Sequence, residues 1–275
     1  MPSHNESQNY VIRGGIQGRE RLKLLARIMH SSTASLLDRA GISPGMKCLE
    51  IGCGSGDISI ELARRVGPHG HVLGVDIDDT KIELARQEAA DLNVNNVEFR
   101  LLDIRTSKLT VGYDLVYVRF VLTHLSDPAS VVQSIHELLK PGGPVIIEDI
   151  DFSGHFVYPE SPAFNRYHEL YCAVVQRRGG NPNIGPQLPL LLKQNGFDEI
   201  KVSVVQPMAL EGEVKVITPL TLENIADALV QENLSTPEEI SQLVQELYDY
   251  VANPETLAGL PRVFQTSARR PVSFY

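Results

Sequence analysis

Three glycines at alternating positions, set between an apolar run and a helical pattern, constrain this chain more than any other stretch. Residues 49–56 read LEIGCGSG, with Glu50 ahead of Gly52, Gly54 and Gly56. Cys48, Leu49 and Ile51 lead into the turn as a strand would, and Ile58, Ile60, Leu62, Ala63 and Val66 follow it as a helical pattern. Glycine is needed where the backbone takes positive φ or where another molecule must come close to the main chain. Twenty residues beyond Gly56, Asp76 closes the next apolar run. Strand, glycine turn, helix, strand and terminal acid form the order of a nucleoside-binding α/β half.

The alternation continues. Strands are predicted at 46–51, 71–76, 97–101, 114–118 and 144–149, with helices at 57–66, 79–92 and 128–139. Gly67-Pro68 stops the first of these helices, Pro128 opens the last, and Lys140-Pro141-Gly142-Gly143 closes it. Short strands rich in Val, Ile and Leu, separated by helices, predict βαβ units, a parallel sheet and helices on both faces. Upstream, Leu22, Leu25, Ile28 and Met29 predict a helix, Ser31-Ser32-Thr33 a break, and 34–40 a second helix. Downstream, helices are expected at 161–178, 184–194, 219–231 and 237–252, and strands at 199–205 and 262–268. No Pro/Gly/Ser linker divides the chain, so one domain is expected over 1–275. It comprises an N-terminal lid (1–40), an α/β core (41–206) with a cap helix at 159–180, a helical insertion (207–258) and a last strand (259–275).

The 275 residues are 43% hydrophobic and 21% charged, an ordinary globular balance. A formal net charge of −9 argues against a nonspecific nucleic-acid binder, which needs a basic face. Cys48, Cys53 and Cys172 form no Cys-x-x-Cys pair, so neither a zinc site nor a disulfide framework is expected. No apolar run approaches the ~18 residues of a membrane span. The N-terminus MPSHNESQNY lacks the apolar segment of a secretory signal, and a cytoplasmic location is expected.

The glycine spacing chooses the ligand. In a dinucleotide fingerprint the third glycine falls three residues after the second; here it falls two residues after, and an acid precedes the first. This pattern resembles motif I of the class I S-adenosylmethionine (SAM)-dependent methyltransferases. YDLVYVRFVLTHLSDP (113–128) resembles the fourth motif with its following loop, and the KPGG before the 144–149 strand also matches. Over most of its length the chain is similar to the ubiquinone/menaquinone-biosynthesis-like and natural-product members. The resemblance implies an α/β fold, with a Rossmann-like, seven-stranded, mostly parallel sheet, N-terminal lid helices and inserted cap helices. It also implies methyl transfer from SAM, leaving S-adenosylhomocysteine, to an O, N or C atom of a small metabolite. No metal is expected, since the metal-binding acid of catechol-type members has no counterpart after the fourth strand.

The site residues follow from the motifs. The main chain at Gly52, Cys53, Gly54 and Gly56, with the next helix's N-terminus, suits the methionine carboxylate. Glu50 is expected to face the ammonium, and Asp57 either to cap the helix or to touch ligand. Asp76 can accept both ribose hydroxyls, with Ile77 on one adenine face. The resemblance places Asp103 at the adenine amine and Ile104 at the ring, with a turn Asp as the competing reading. Arg119 and Phe120 sit where open α/β sheets bind ligands. Tyr10 and Arg21 resemble lid residues that meet the SAM carboxylate, or else belong to an ordinary amphipathic helix and its leading loop. For the acceptor, His124, Asp149 and Asp151 are the candidate catalytic groups, with His155, Tyr158, Tyr167 and His168 nearby. His124 could act as a base or simply orient its loop. Helices over the site favour a small, partly apolar acceptor over a polymer; a homodimer is compatible. Two alternatives stand beside this reading: an NAD(P)-dependent Rossmann oxidoreductase, and a SAM-binding protein of the same fold that transfers no methyl group.

Overall fold

A computed structural model describes residues 15–272. Its first element, α1 (Gly15–Arg39), is a single helix of 25 residues, about 37 Å long. The break expected at 31–33 is absent because two of the hydroxyls find partners within the helical geometry. Ser32 Oγ donates to the Met29 carbonyl at 2.9 Å, and Thr33 Oγ1 donates to Glu148 at 3.0 Å. The first is a back-bond to the preceding turn, which a helix accommodates, and the second leaves the backbone groups alone.

The core then follows as β1 (Lys47–Ile51), α2 (Asp57–Val66), β2 (His71–Asp76), α3 (Asp79–Asp91), β3 (Val97–Leu101), β4 (Leu115–Arg119), α4 (Pro128–Leu138) and β5 (Pro144–Asp151). After it come β6 (Phe156–Tyr158), α5 (Pro162–Arg177), α6 (Leu188–Gln194), β7 (Asp198–Val205) and β8 (Met208–Ala209). The chain closes with α7 (Glu213–Gln231), α8 (Pro237–Ala252), β9 (Leu257–Gly259) and β10 (Arg262–Arg269). The main sheet has seven strands in the order β3-β2-β1-β4-β5-β10-β7. Neighbours from β3 to β5 are parallel, and β10 is antiparallel to both β5 and β7. The mostly parallel α/β sheet expected from the sequence is the one observed.

Period-two alternation supplies both faces. Leu49, Ile51, Val75, Val116 and Val118 pack with α4 and α6 residues such as Val132, Ile135 and Leu192. Cys48, Val72, Tyr117 and Ile146 turn the other way, against Leu37 of α1 and Leu62 of α2. A second core lies above the carboxyl ends of the strands. There Leu25 and Met29 of α1 meet Tyr167, Tyr171 and Val174 of α5, Leu222 and Ile225 of α7, and Leu243 and Leu247 of α8.

Three details depart from expectation. Helix α7 begins at Glu213, six residues before the expected start at 219, and Pro219 lies inside it; a proline there is tolerated at the cost of one backbone bond. The small sheet β6-β9-β8 was not foreseen, because strands of two or three residues are too short to show a period. Asp57 does not cap α2: the cap position is Gly56, in the left-handed conformation and with no side-chain bond.

Candidate active site

The turn after β1 is pinned to β2. The amides of Gly52 and Cys53 donate to the Val75 carbonyl at 2.8 and 3.0 Å. Gly52 has φ 73° and Gly56 φ 86°. A Cβ at Gly52 would lie 2.2 Å from Val121 Cγ2, and one at Gly56 2.8 Å from Phe99 Cζ; both positions demand glycine for conformation and for space. At Gly54 the nearest neighbour to such a carbon is Leu22 Cδ1 of α1, at 3.5 Å. The middle of the turn is thus an open main-chain cradle beneath α1.

Asp76, at the carboxyl end of β2, steadies that cradle. Its Oδ2 accepts the Gly54 amide at 2.9 Å and its Oδ1 the Asp78 amide at 3.0 Å. A carboxylate has about four acceptor positions, so each oxygen keeps one for a ligand hydroxyl. Asp78 caps α3 by accepting the Lys81 amide at 3.1 Å, as its place before a helix leads one to expect. Ile77, 41% exposed, offers a large apolar side chain at the edge of this site. Ile104 is half-buried against the main core. Asp103 is held by its own loop: the Arg105 side chain donates to it at 2.9 Å and 2.6 Å, and the Arg105 amide at 2.9 Å. Burial pushes its carboxyl up, but the bonds from Arg105 together outweigh that and hold it below the ordinary carboxylate range.

Glu50 is buried at 3% exposure and accepts the Ser59 hydroxyl at 2.5 Å. Burial pushes its carboxyl up to about 8, against the opposing pull of Ser59 and Arg119. Arg119, at the end of β4, is also close to Glu148, and its Nη1 is buried with no hydrogen-bond partner among the described residues. Cys53 is buried, and its thiol is pushed well above its ordinary value. Phe120 takes φ 55°, a strained conformation for a bulky residue, and its amide donates to the Glu148 carbonyl at 2.9 Å.

Of the acceptor-side candidates, His124 ends a short helical turn, Leu122–His124. Burial, with Arg21 and Lys81 nearby, pushes its imidazole down to about 3. Asp149 is wholly buried and accepts the Thr123 amide at 3.1 Å and the Ile150 amide at 2.8 Å; burial pushes its carboxyl to about 7. In this arrangement it fastens the loop that carries His124. Asp151 forms an ion pair with Arg262 at 2.8 Å and accepts the Ser153 hydroxyl at 2.6 Å. Arg21, on α1, donates to Thr221 of α7 at 2.9 Å. Tyr10 lies outside the described residues.

Sequence reasoning missed Glu148, the first acid of the EDID tract. Wholly buried on β5, it accepts hydroxyls from Thr33 and Tyr117 and the side-chain Nε2 of Gln265 at 2.7 Å. The available signal was its parity: it shares a face with Ile146, which packs under α1 and α2. Among the described residues no group of three or more His, Cys, Asp or Glu could hold a metal ion.

A parallel sheet with a glycine cradle and two strand-end acids at its carboxyl edge, roofed by helices, defines a nucleoside-binding α/β protein of the methyltransferase type. A methyltransferase-domain profile matches residues 42–179, and the chain belongs to that family, the class I SAM-dependent methyltransferases. Over 116 residues it is 34% identical to the ubiquinone biosynthesis O-methyltransferase of Acinetobacter baumannii (strain ACICU), covering 42% of this chain and 48% of that protein. The chain thus spans about half the length of the curated relatives it matches. Among solved structures it is similar to phosphoethanolamine N-methyltransferase 2 of Haemonchus contortus in complex with SAM. That match has 20% identity, TM-score 0.56, and covers 88% of this chain and 52% of that one. The cyclase SpnF matches at 18% identity and TM-score 0.55, over 88% and 82% of the two chains. At these identities the structural likeness is one of fold.

Proposed function

We propose that the protein transfers a methyl group from SAM to an O, N or C atom of a small metabolite without a metal ion. The observation that carries this reading is the open cradle at Gly54 joined to Asp76, with buried Glu50 directly ahead of the turn on β1. The residues fit the cofactor. The N-terminus of α2 suits a carboxylate, the uncrowded turn at Gly54 lets a ligand approach the main chain, Asp76 retains acceptor positions for a ribose diol, and Ile77 suits an adenine face. Arg119, with its unpartnered buried nitrogen, stands at the strand ends where such a ligand would lie. When bound, SAM supplies an electrophilic methyl group on a cationic sulfur.

The chain's own part is positioning. Helices α1, α5, α7 and α8 roof the carboxyl edge of the sheet and keep water from it. Asp149 fixes the loop at 122–124, so His124 faces its surroundings as a neutral imidazole. In-line transfer needs an aligned nucleophile more than a strong base. Similarity to a ubiquinone biosynthesis O-methyltransferase and the partly apolar roof both favour a small acceptor.

Calorimetric titration with SAM, S-adenosylhomocysteine and NADH tests the reading. Micromolar binding of the first two with NADH silent is expected; NADH binding alone would establish an oxidoreductase instead. A screen of acceptors with labelled methyl then follows. Tight SAM binding with no transfer to any acceptor would make this a non-methylating member of the fold, as the likeness to a cyclase allows.

A further inference from the structure

A polar seam runs through the roof core. On α7, Thr218, Thr221 and Asn224 recur every third residue and are buried with Leu222 and Ile225. Opposite them α1 buries Arg21, at 8% exposure. Arg21 shares a helix face with Leu25 and Met29, four and eight residues on, and both pack into the roof core. Leu22, the next residue and about 100° around the helix, is the one that looks onto Gly54. Arg21 is thus turned toward the roof and not toward the glycine turn. Its Nε donates to Thr221 Oγ1 at 2.9 Å, while that hydroxyl gives its own proton to the Ile217 carbonyl at 2.6 Å. Tyr167 of α5 and His124 lie close to the same guanidinium. Among the described residues Arg21 has no carboxylate partner, and its Nη1 and Nη2 make no hydrogen bond. One turn beyond Thr221, the Oδ1 of Asn224 is also buried without a partner among the described residues. A buried cation without a counter-ion is costly, and packing alone gives no reason to keep one.

We propose that Arg21 recognises the methyl acceptor and not the cofactor, and that the acceptor bears a carboxylate. This rests on the SAM reading. A planar carboxylate matches the two-pronged edge that Nη1 and Nη2 present. Thr221 holds the guanidinium at its third nitrogen and so fixes its direction. Charge favours the same ligand. SAM carries a sulfonium, an ammonium and a carboxylate, and so brings net positive charge to a site where Arg21 is already positive and a neutral His124 supplies no counter-ion. A neutral acceptor leaves that excess standing, whereas an anionic acceptor offsets it. On this reading the cofactor's own carboxylate keeps its place at the start of α2.

The test is calorimetry at about pH 7, where carboxylic acids are ionised, on the whole chain saturated with S-adenosylhomocysteine. The probes are pairs that differ in charge at one group: benzoate with benzamide, 3-hydroxybenzoate with 3-hydroxybenzamide, and phenylacetate with phenylacetamide. At least one acid should bind roughly ten- to a hundredfold more tightly than its amide, the worth of hydrogen bonds to a charged group. Arg21→Gln should bring that acid to the level of its amide and leave S-adenosylhomocysteine affinity unchanged. Arg21→Lys, which keeps the charge without the fork, should retain part of the preference. If Arg21→Gln fails to fold, Thr221→Val, which removes the oxygen that aims the guanidinium, should still reduce the preference for the acid; an undiminished preference there counts against the proposal. Loss of S-adenosylhomocysteine affinity in Arg21→Gln, with that of 5′-methylthioadenosine kept, would put Arg21 on the methionine carboxylate and overturn the proposal. Equal binding of acids and amides, or no binding of any acid, overturns it as well and leaves the cofactor reading standing. Failure of SAM and S-adenosylhomocysteine to bind at all overturns both.

Discussion

Asp76 is bound twice by main-chain amides before any ligand arrives, so its position is set by the fold and its remaining acceptor sites are free for chemistry. Asp76→Ala should weaken SAM binding by about 1.5–3 kcal/mol, the worth of hydrogen bonds to a charged group; calorimetry on the folded variant would show it, and an unchanged constant would remove Asp76 from the site. His155 carries a different prediction. It is buried among Phe152, Phe164 and Tyr167, with Thr218 at 3.3 Å, and burial pushes its imidazole down to about 3. A folded value below the unfolded one gives stability that is present above about pH 6.5 and lost as pH falls toward about 3, at about 1.4 kcal/mol per pH unit for each such group. His124 behaves likewise. Urea denaturation at descending pH should show this limb, with a shallower slope in His155→Phe.

Long helices here are fixed by single buried polar groups. Lys215, in the first turn of α7, is almost wholly buried. Its Nζ donates to the carbonyls of Leu210 at 2.9 Å, Asn253 at 2.8 Å and Thr256 at 3.0 Å, and to the Thr256 hydroxyl at 2.7 Å. One ammonium thus ties the start of α7 to the end of α8. Lys215→Met leaves those oxygens buried without a donor and should cost about 3 kcal/mol in chemical denaturation. Helix α1 is held over the cradle by the Thr33–Glu148 bond and by the ion pair of Lys23 with Glu88 of α3 at 2.8 Å. Thr33→Val removes only a hydroxyl and should cost about 1 kcal/mol. A larger fall in SAM affinity than in stability would show that the lid's position matters more to the ligand than to the fold.

Over the whole molecule, the parallel half of the sheet builds the cradle, and the segment between β7 and β10 contributes the two-helix part of the roof. SAM binding only the folded chain should stabilise it by about 2.7 kcal/mol at a hundredfold excess over the dissociation constant; a thermal melt unmoved by saturating SAM would count against the cofactor reading. No described helix is long and apolar enough to cross a membrane.

The alternation of strands and helices, the glycine turn and the acid closing β2 were legible in the sequence because each is a local demand. A period, a positive φ or a strand end shows in consecutive residues. What tertiary structure alone decided was pairing across distance. The hydroxyls at 31–33 read as a helix stop until Glu148, 115 positions away from Thr33, accepts one of them. Asp149 and Asp151 read as equivalent acids of one tract until strand register gives one to loop amides and the other to Arg262. Glu50 read as a ligand contact, but its burial against the Ser59 hydroxyl, with Arg119 of the neighbouring strand close by, emerges only when β1 lies between its neighbours under α2. Burial and partnership are properties of neighbours in space, and a linear pattern cannot count them.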